Sequence, residues 1–265
     1  MSNAAVQLDA LLELMRRLRD PQNGCAWDRV QDFSTIAPYT IEEAYEVAEA
    51  IALMDPGKIR DELGDLLFQV VFHARMAEER GWFGFAEVIE GICDKLIRRH
   101  PHVFASQSGN DEDSIAVAWE VQKARERGAN GSSGTLADVP RALPALTRAE
   151  KLGRRAARVG FDWPDAQSVT DKVREEFDET LKAIANNDPA AVGEELGDLL
   201  FSIANWARHL RVNPEQALQQ AGRKFELRFA QMEQLSKERG LVLESLSAAQ
   251  WEALWCQAKQ LAVDK

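Results

Sequence analysis

A chain of 265 residues, 45% apolar and 28% charged, has an ordinary globular composition and is long enough for two modules. Its 32 basic and 43 acidic residues leave a net charge of −11, which argues against non-specific nucleic-acid binding through clustered Lys and Arg. No apolar run approaches the roughly 20 residues of a membrane span, and no basic stretch leads into an apolar core, so neither a membrane anchor nor a signal peptide is expected.

Leu8, Leu11, Leu12, Met15 and Leu18 recur at helical spacing and predict a helix over 6–19, broken by Asp20-Pro21-Gln22-Asn23-Gly24. A loop with Trp27 and Phe33 follows, with Trp27 expected as a core anchor. Thr40 reads as the cap of the next helix, with Glu43 three residues on as its capping-box partner. Asp55-Pro56 reads as the cap and first turn of a further helix running to about Arg80, with Gly81 as its stop. Phe85 to Arg99 is helical and ends at Pro101. A shorter helix is expected over 114–127, with Trp119 facing inward.

Gly128-Ala129-Asn130-Gly131-Ser132-Ser133-Gly134 has linker composition. It divides the chain into an N-terminal module (1–127), a linker (128–136) and a C-terminal module (137–265). Within the second module, 146–159 is helical and basic, and Gly160-Phe161-Asp162-Trp163 echoes Gly24-Cys25-Ala26-Trp27. Helices are expected over 168–186, 189–211, 214–239 and 247–262. No segment alternates like a strand, so the fold class is all-α, built from bundle-like modules. Cys25, Cys93 and Cys256 are isolated, as in the reduced thiols of a cytoplasmic protein.

The two modules repeat one stretch. Glu42-Glu43-Ala44-Tyr45-Glu46 and Glu62-Leu63-Gly64-Asp65-Leu66-Leu67-Phe68 recur 133 residues later as Glu175-Glu176-Phe177-Asp178-Glu179 and Glu195-Leu196-Gly197-Asp198-Leu199-Leu200-Phe201. An internal duplication is the reading, so one site design is written twice. Glu43 and Glu46 are three apart, as are Glu62 and Asp65, which places each pair on one helix face. Two antiparallel helices would aim all four at one volume. Glu176, Glu179, Glu195 and Asp198 would do the same in the second module. Like charges held this close call for a cation between them, and oxygen-only ligands suit magnesium or manganese. A solvated acidic face is the alternative. It is weakened because each set runs straight into an apolar stripe (Leu66, Leu67, Val70, Val71; Leu199, Leu200, Ile203, Ala204).

This ordered set resembles the MazG nucleoside triphosphate pyrophosphohydrolases of the two-module bacterial type. Leu18-Arg19-Asp20-Pro21, Gly24-Cys25-Ala26-Trp27-Asp28, Thr35 to Thr40 and Arg98-Arg99-His100-Pro101-His102 carry the likeness beyond the acids. The resemblance implies hydrolysis of a nucleoside triphosphate to monophosphate and pyrophosphate, with Mg2+ as the usual ion, Mn2+ as its substitute, and a homodimer that completes a four-helix core. It implies Glu176, Glu179, Glu195 and Asp198 as metal ligands, with Glu43, Glu46, Glu62 and Asp65 as the second copy. It further implies Glu175 at the attacking water, and Lys172, Lys224, Arg228 and Trp255 at the nucleotide. One departure is Ala190-Ala191-Val192-Gly193, where the family can carry a lysine: either Lys172 and Lys224 suffice or triphosphate binding is weaker. The C-terminal module is the one expected to hydrolyse; the N-terminal copy is expected to act, to bind nucleotide only, or to serve as a dimerisation scaffold.

Two other classes are set against this reading. Four-helix carboxylate redox proteins use Glu-x-x-His, which neither module contains. A nucleotide-binding or regulatory protein without hydrolysis remains the alternative. A P-loop is absent. His100 and His102 flank Pro101 without a spaced acid or cysteine and are expected to finish a helix.

Overall fold

A computed structural model describes residues 3–104, 134–137 and 139–263. The expected helix over 114–127 with Trp119, and most of the linker, lie outside the described residues. The chain divides into two compact units, Met1–Arg125 and Glu126–Lys265.

The first unit contains α1 (Asn3–Leu18), α2 (Ala26–Val30), α3 (Phe33–Leu53), α4 (Pro56–Glu79), α5 (Phe85–Arg99) and α6 (Pro101–Phe104). Its core is Met15 from α1, Ile36 from α3 and Val71, Phe72 and Met76 from α4, with Leu11, Leu12, Phe33, Phe68 and Phe85 packed against it. Arg19 ties three segments together. Its guanidinium grips Glu79 at 2.7 to 3.1 Å, donates to the Asp28 and Gln31 carbonyls, and lies 5.2 Å from the Phe72 ring centroid. The loop after α1 closes so tightly that a Cβ on Gly24 would collide with the Leu18 and Asp20 carbonyls, so only glycine fits there.

Two expectations for this unit need correction. Trp27 sits on α2, not in a loop, and is 49% exposed, its ring meeting Tyr39 edge-on at 6.0 Å instead of anchoring the core. The core volume is already filled by Phe72 and its neighbours. Thr40 is not a cap. Asp32 caps α3, accepting from the Ser34 and Thr35 amides at 2.8 and 3.0 Å, while its own amide donates to Thr35 Oγ1 at 2.9 Å. An aspartate with a reciprocating threonine three residues on is a complete capping box, so the helix starts there and runs through Pro38. Glu43 is thereby released from any capping role.

The second unit contains α7 (Ala145–Ala157), α8 (Ala166–Ala185), α9 (Pro189–His209), α10 (Pro214–Glu238), a 3-10 turn (Leu243–Ser245) and α11 (Ala248–Val263). Met232, Leu254 and Ala258 form a core between α10 and α11, flanked by Leu235, Leu246, Trp251 and Trp255. Helix α7 meets α9 at Gly153, where an added Cβ would lie 2.9 Å from Asn205 Cγ and closer still to its Oδ1.

Both acid-bearing hairpins, α3–α4 and α8–α9, turn by the same device. One residue takes the left-handed conformation (Met54, φ 53°; Asn187, φ 52°), and the next aspartate caps the following helix ahead of a proline. Asp55 accepts from the Gly57 and Lys58 amides at 2.9 and 3.2 Å, and Asp188 accepts from those of Ala190 and Ala191 at 3.1 and 3.2 Å. Among the described residues there is no strand, and no helix is long and apolar enough to cross a membrane.

Candidate active site

Each hairpin brings three of its four acids together, one fewer than the spacing predicts. In the first unit, ligand atoms of Glu43 (α3), Glu62 and Asp65 (α4) all lie within 4.8 Å of one another. In the second, those of Glu176 and Glu179 (α8) and Glu195 (α9) do so. Glu46 and Asp198 fall outside these threesomes and are exposed, yet both act on them: the Glu46 charge bears on Glu43, and the Asp198 charge on Glu195.

The packed carboxylates resist ionisation. Glu43 is pushed above the usual carboxylate range by burial first, then by Asp65, Glu46 and Glu62. Glu62 is raised by burial and by Glu46 and Asp65, and Glu195 by burial and by Glu179, Glu176 and Asp198. A hard divalent cation placed among oxygens so spaced would replace this repulsion with attraction, and no softer donor accompanies them. The donor set therefore fits magnesium or manganese.

The two clusters differ in one respect. Lys172 donates to Glu175 at 2.8 Å and lies 2.7 Å from Glu176, which is only 5% exposed. Both contacts hold the ammonium strongly protonated, the Glu175 hydrogen bond contributing most. Lys172 and Glu175 are thus placed at the acidic pocket, with Glu175 on its exposed rim.

Arg228 on α10 and Trp255 on α11 form a separate group, and Lys224 lies one helical turn before Arg228. The Arg228 guanidinium lies 5.7 Å and the Lys259 ammonium 5.9 Å from the Trp255 centroid, which is 5.6 Å from that of Phe225. Lys224 is exposed. No described hydrogen bond or ion pair joins this group to the acids. Sequence reasoning missed Lys259; its signal is the spacing of four from Trp255 on one helix face. His100 Nδ1 donates to the Leu96 carbonyl at 2.7 Å, which fits a helix-ending role.

A family model describing the MazG nucleotide pyrophosphohydrolase domain matches residues 31–104 and 165–232, one match in each unit. The chain is 50% identical, over 97% of its length and 99% of the relative's, to a nucleoside triphosphate pyrophosphohydrolase of Escherichia coli K12. It is 44% identical, over 98% of both chains, to a nucleoside triphosphate pyrophosphohydrolase/pyrophosphatase of Thermotoga maritima. A nucleoside triphosphate pyrophosphohydrolase of Mycobacterium tuberculosis is 37% identical over 51% of this chain and 41% of its own.

Proposed function

The chain belongs to the MazG nucleotide pyrophosphohydrolase family, hydrolases of nucleoside triphosphate anhydride bonds, and from that premise we propose that the C-terminal carboxylate pocket is where its hydrolysis occurs. The observation that carries this reading is the convergence of Glu176, Glu179 and Glu195 within 4.8 Å, with Lys172 already drawn to the rim.

Glu176, Glu179, Glu195 and Asp198 would hold Mg2+, with Mn2+ as a substitute. When bound, the ion supplies charge neutralisation at phosphate oxygens and acidifies a water. Lys172 then exchanges its carboxylate partners for the triphosphate, which frees Glu175. Glu175 accepts the proton as the water oxygen attacks the α-phosphorus. The bond from that phosphorus to the bridging oxygen breaks, and pyrophosphate leaves with its electron pair. Lys224 and Arg228 pair with the phosphates, and Trp255 offers a face to the base. With no base over Ala190 to Gly193, Lys172 carries the charge that a lysine there would supply.

The biological unit proposed is a homodimer. Leu63, Leu67 and Val70 on α4, and Leu196, Leu200 and Ile203 on α9, are exposed apolar residues at i, i+4, i+7 beside the acids. A second copy laid against such stripes would complete a four-helix core. A cytoplasmic location, with no nucleic-acid partner, agrees with the acidic composition and the three free thiols.

The test is incubation with a panel of nucleoside triphosphates and magnesium, followed by assay of monophosphate and pyrophosphate. Equimolar release of the two is expected. Binding without release from any nucleotide would replace hydrolysis with nucleotide capture.

A further inference from the structure

Neither the core nor the acidic pockets use Trp27 and Tyr39, yet the first unit holds both rings firmly at its surface. They are 49% and 42% exposed and meet at 6.0 Å with their planes at 77°. A five-residue helix such as α2 does not stand on its own. Both of its ends are pinned instead. Ahead of it, the Gly24 amide donates to the Asp20 carbonyl at 2.9 Å and the Cys25 amide to that of Leu18 at 2.8 Å. Behind it, Arg19 donates to the Asp28 and Gln31 carbonyls, and Gln31 Nε2 donates to the Trp27 carbonyl at 2.9 Å. Large rings left in water on a braced platform suit stacking against a flat ligand, because little order remains to be imposed on binding.

Two features name that ligand. Rings near a right angle form a corner: a nucleobase laid on one face meets the other ring edge-on, and aromatic pairs favour both arrangements. Every base has a π-face, so such a corner selects for a base and little for which one. The second feature is the contrast between the units. In the second, 133 positions after Tyr39, stands Lys172, an ammonium 2.8 Å from Glu175 and 2.7 Å from Glu176. Trp163, the counterpart of Trp27, turns there to His209 at 6.5 Å. Where that unit offers a cation, which pairs with phosphate, the first offers rings, which pair with a base. Tyr39 lies one turn before Glu43 on α3, so the corner adjoins the duplicated motif without sharing its carboxylates.

We propose that Trp27 and Tyr39 form a nucleobase subsite on the first unit, which takes nucleosides and their phosphates by the base and does not need the triphosphate. The site does not rest on which acidic pocket hydrolyses.

The test labels the full chain with 5-fluorotryptophan and follows the Trp27 fluorine resonance, assigned by its loss in Trp27→Phe. Adenosine and uridine monophosphates are titrated in magnesium-free buffer, so that hydrolysis does not enter. The Trp27 resonance should shift saturably with both, and inorganic triphosphate should leave it in place. Tyr39→Ala should weaken the binding read at Trp27 roughly tenfold, as loss of one stacked ring does, while Tyr39→Phe should keep it. A Trp27 resonance unmoved by either nucleotide, moved equally by inorganic triphosphate, or moved by protein concentration alone would overturn the proposal, the last by making the corner a contact between copies. Pyrophosphate release under magnesium separately reports any failure of the hydrolytic reading.

Discussion

At the scale of single residues, what surrounds a carboxylate decides its behaviour. Asp162 receives Arg208 at 2.5 and 2.9 Å, His209 at 3.0 Å and the Trp163 amide at 2.9 Å. Its pKa falls from 3.8 to about 2, chiefly through the Arg208 hydrogen bonds. The depressed value means that the ionised form stabilises the fold, fully above pH 3.8, and that this is lost as pH falls through about 2. Asp162→Asn should therefore cost about 2 kcal/mol at neutral pH and almost nothing near pH 2, measured by urea unfolding across that range. Glu195 works with the opposite sign: its raised pKa makes the fold lose stability as pH rises through it, until a cation relieves the crowding. The acids themselves were legible, because a duplicated spacing of three on paired helices leaves little choice of geometry. The occupation of one pocket by Lys172 was not, since its sequence neighbourhood only brings it near two glutamates and does not choose between them and a phosphate.

At the scale of elements, the hairpin turns were readable from Asp55-Pro56 and Asp188-Pro189, where cap chemistry and proline's fixed φ act locally. The start of α3 was misjudged because Thr40 satisfied one capping pattern while Asp32 satisfied a stronger one earlier in the chain. The two turns differ in strain. Met54 occupies the left-handed region, which Asn187 tolerates better through its short polar side chain. Met54→Asn should raise stability by about 0.5–1 kcal/mol, read as a higher urea midpoint at unchanged slope. Gly153→Ala sets two effects against each other. Helix propensity gains about 1 kcal/mol, whereas overpacking against buried Asn205 costs about 1–3 and disturbs its 3.2 Å bond from Arg208. The loss wins, so the midpoint should fall.

At the scale of the whole molecule, one helical design serves two sites, and the all-α class followed directly from helical periodicity without strand alternation. What sequence could not supply is the partner of the stripes Leu63-Leu67-Val70 and Leu196-Leu200-Ile203, since an exposed apolar face names no occupant. If a second copy covers them, Leu67→Asp with Leu200→Asp should halve the mass seen by light scattering while helicity is retained. The central claim, hydrolysis at the C-terminal acids, is tested most directly by pyrophosphate release from two double variants under saturating magnesium. Glu176→Ala with Glu179→Ala should abolish release, and Glu43→Ala with Glu46→Ala should retain it. Equal loss in both, or full activity in the first, would contradict the account.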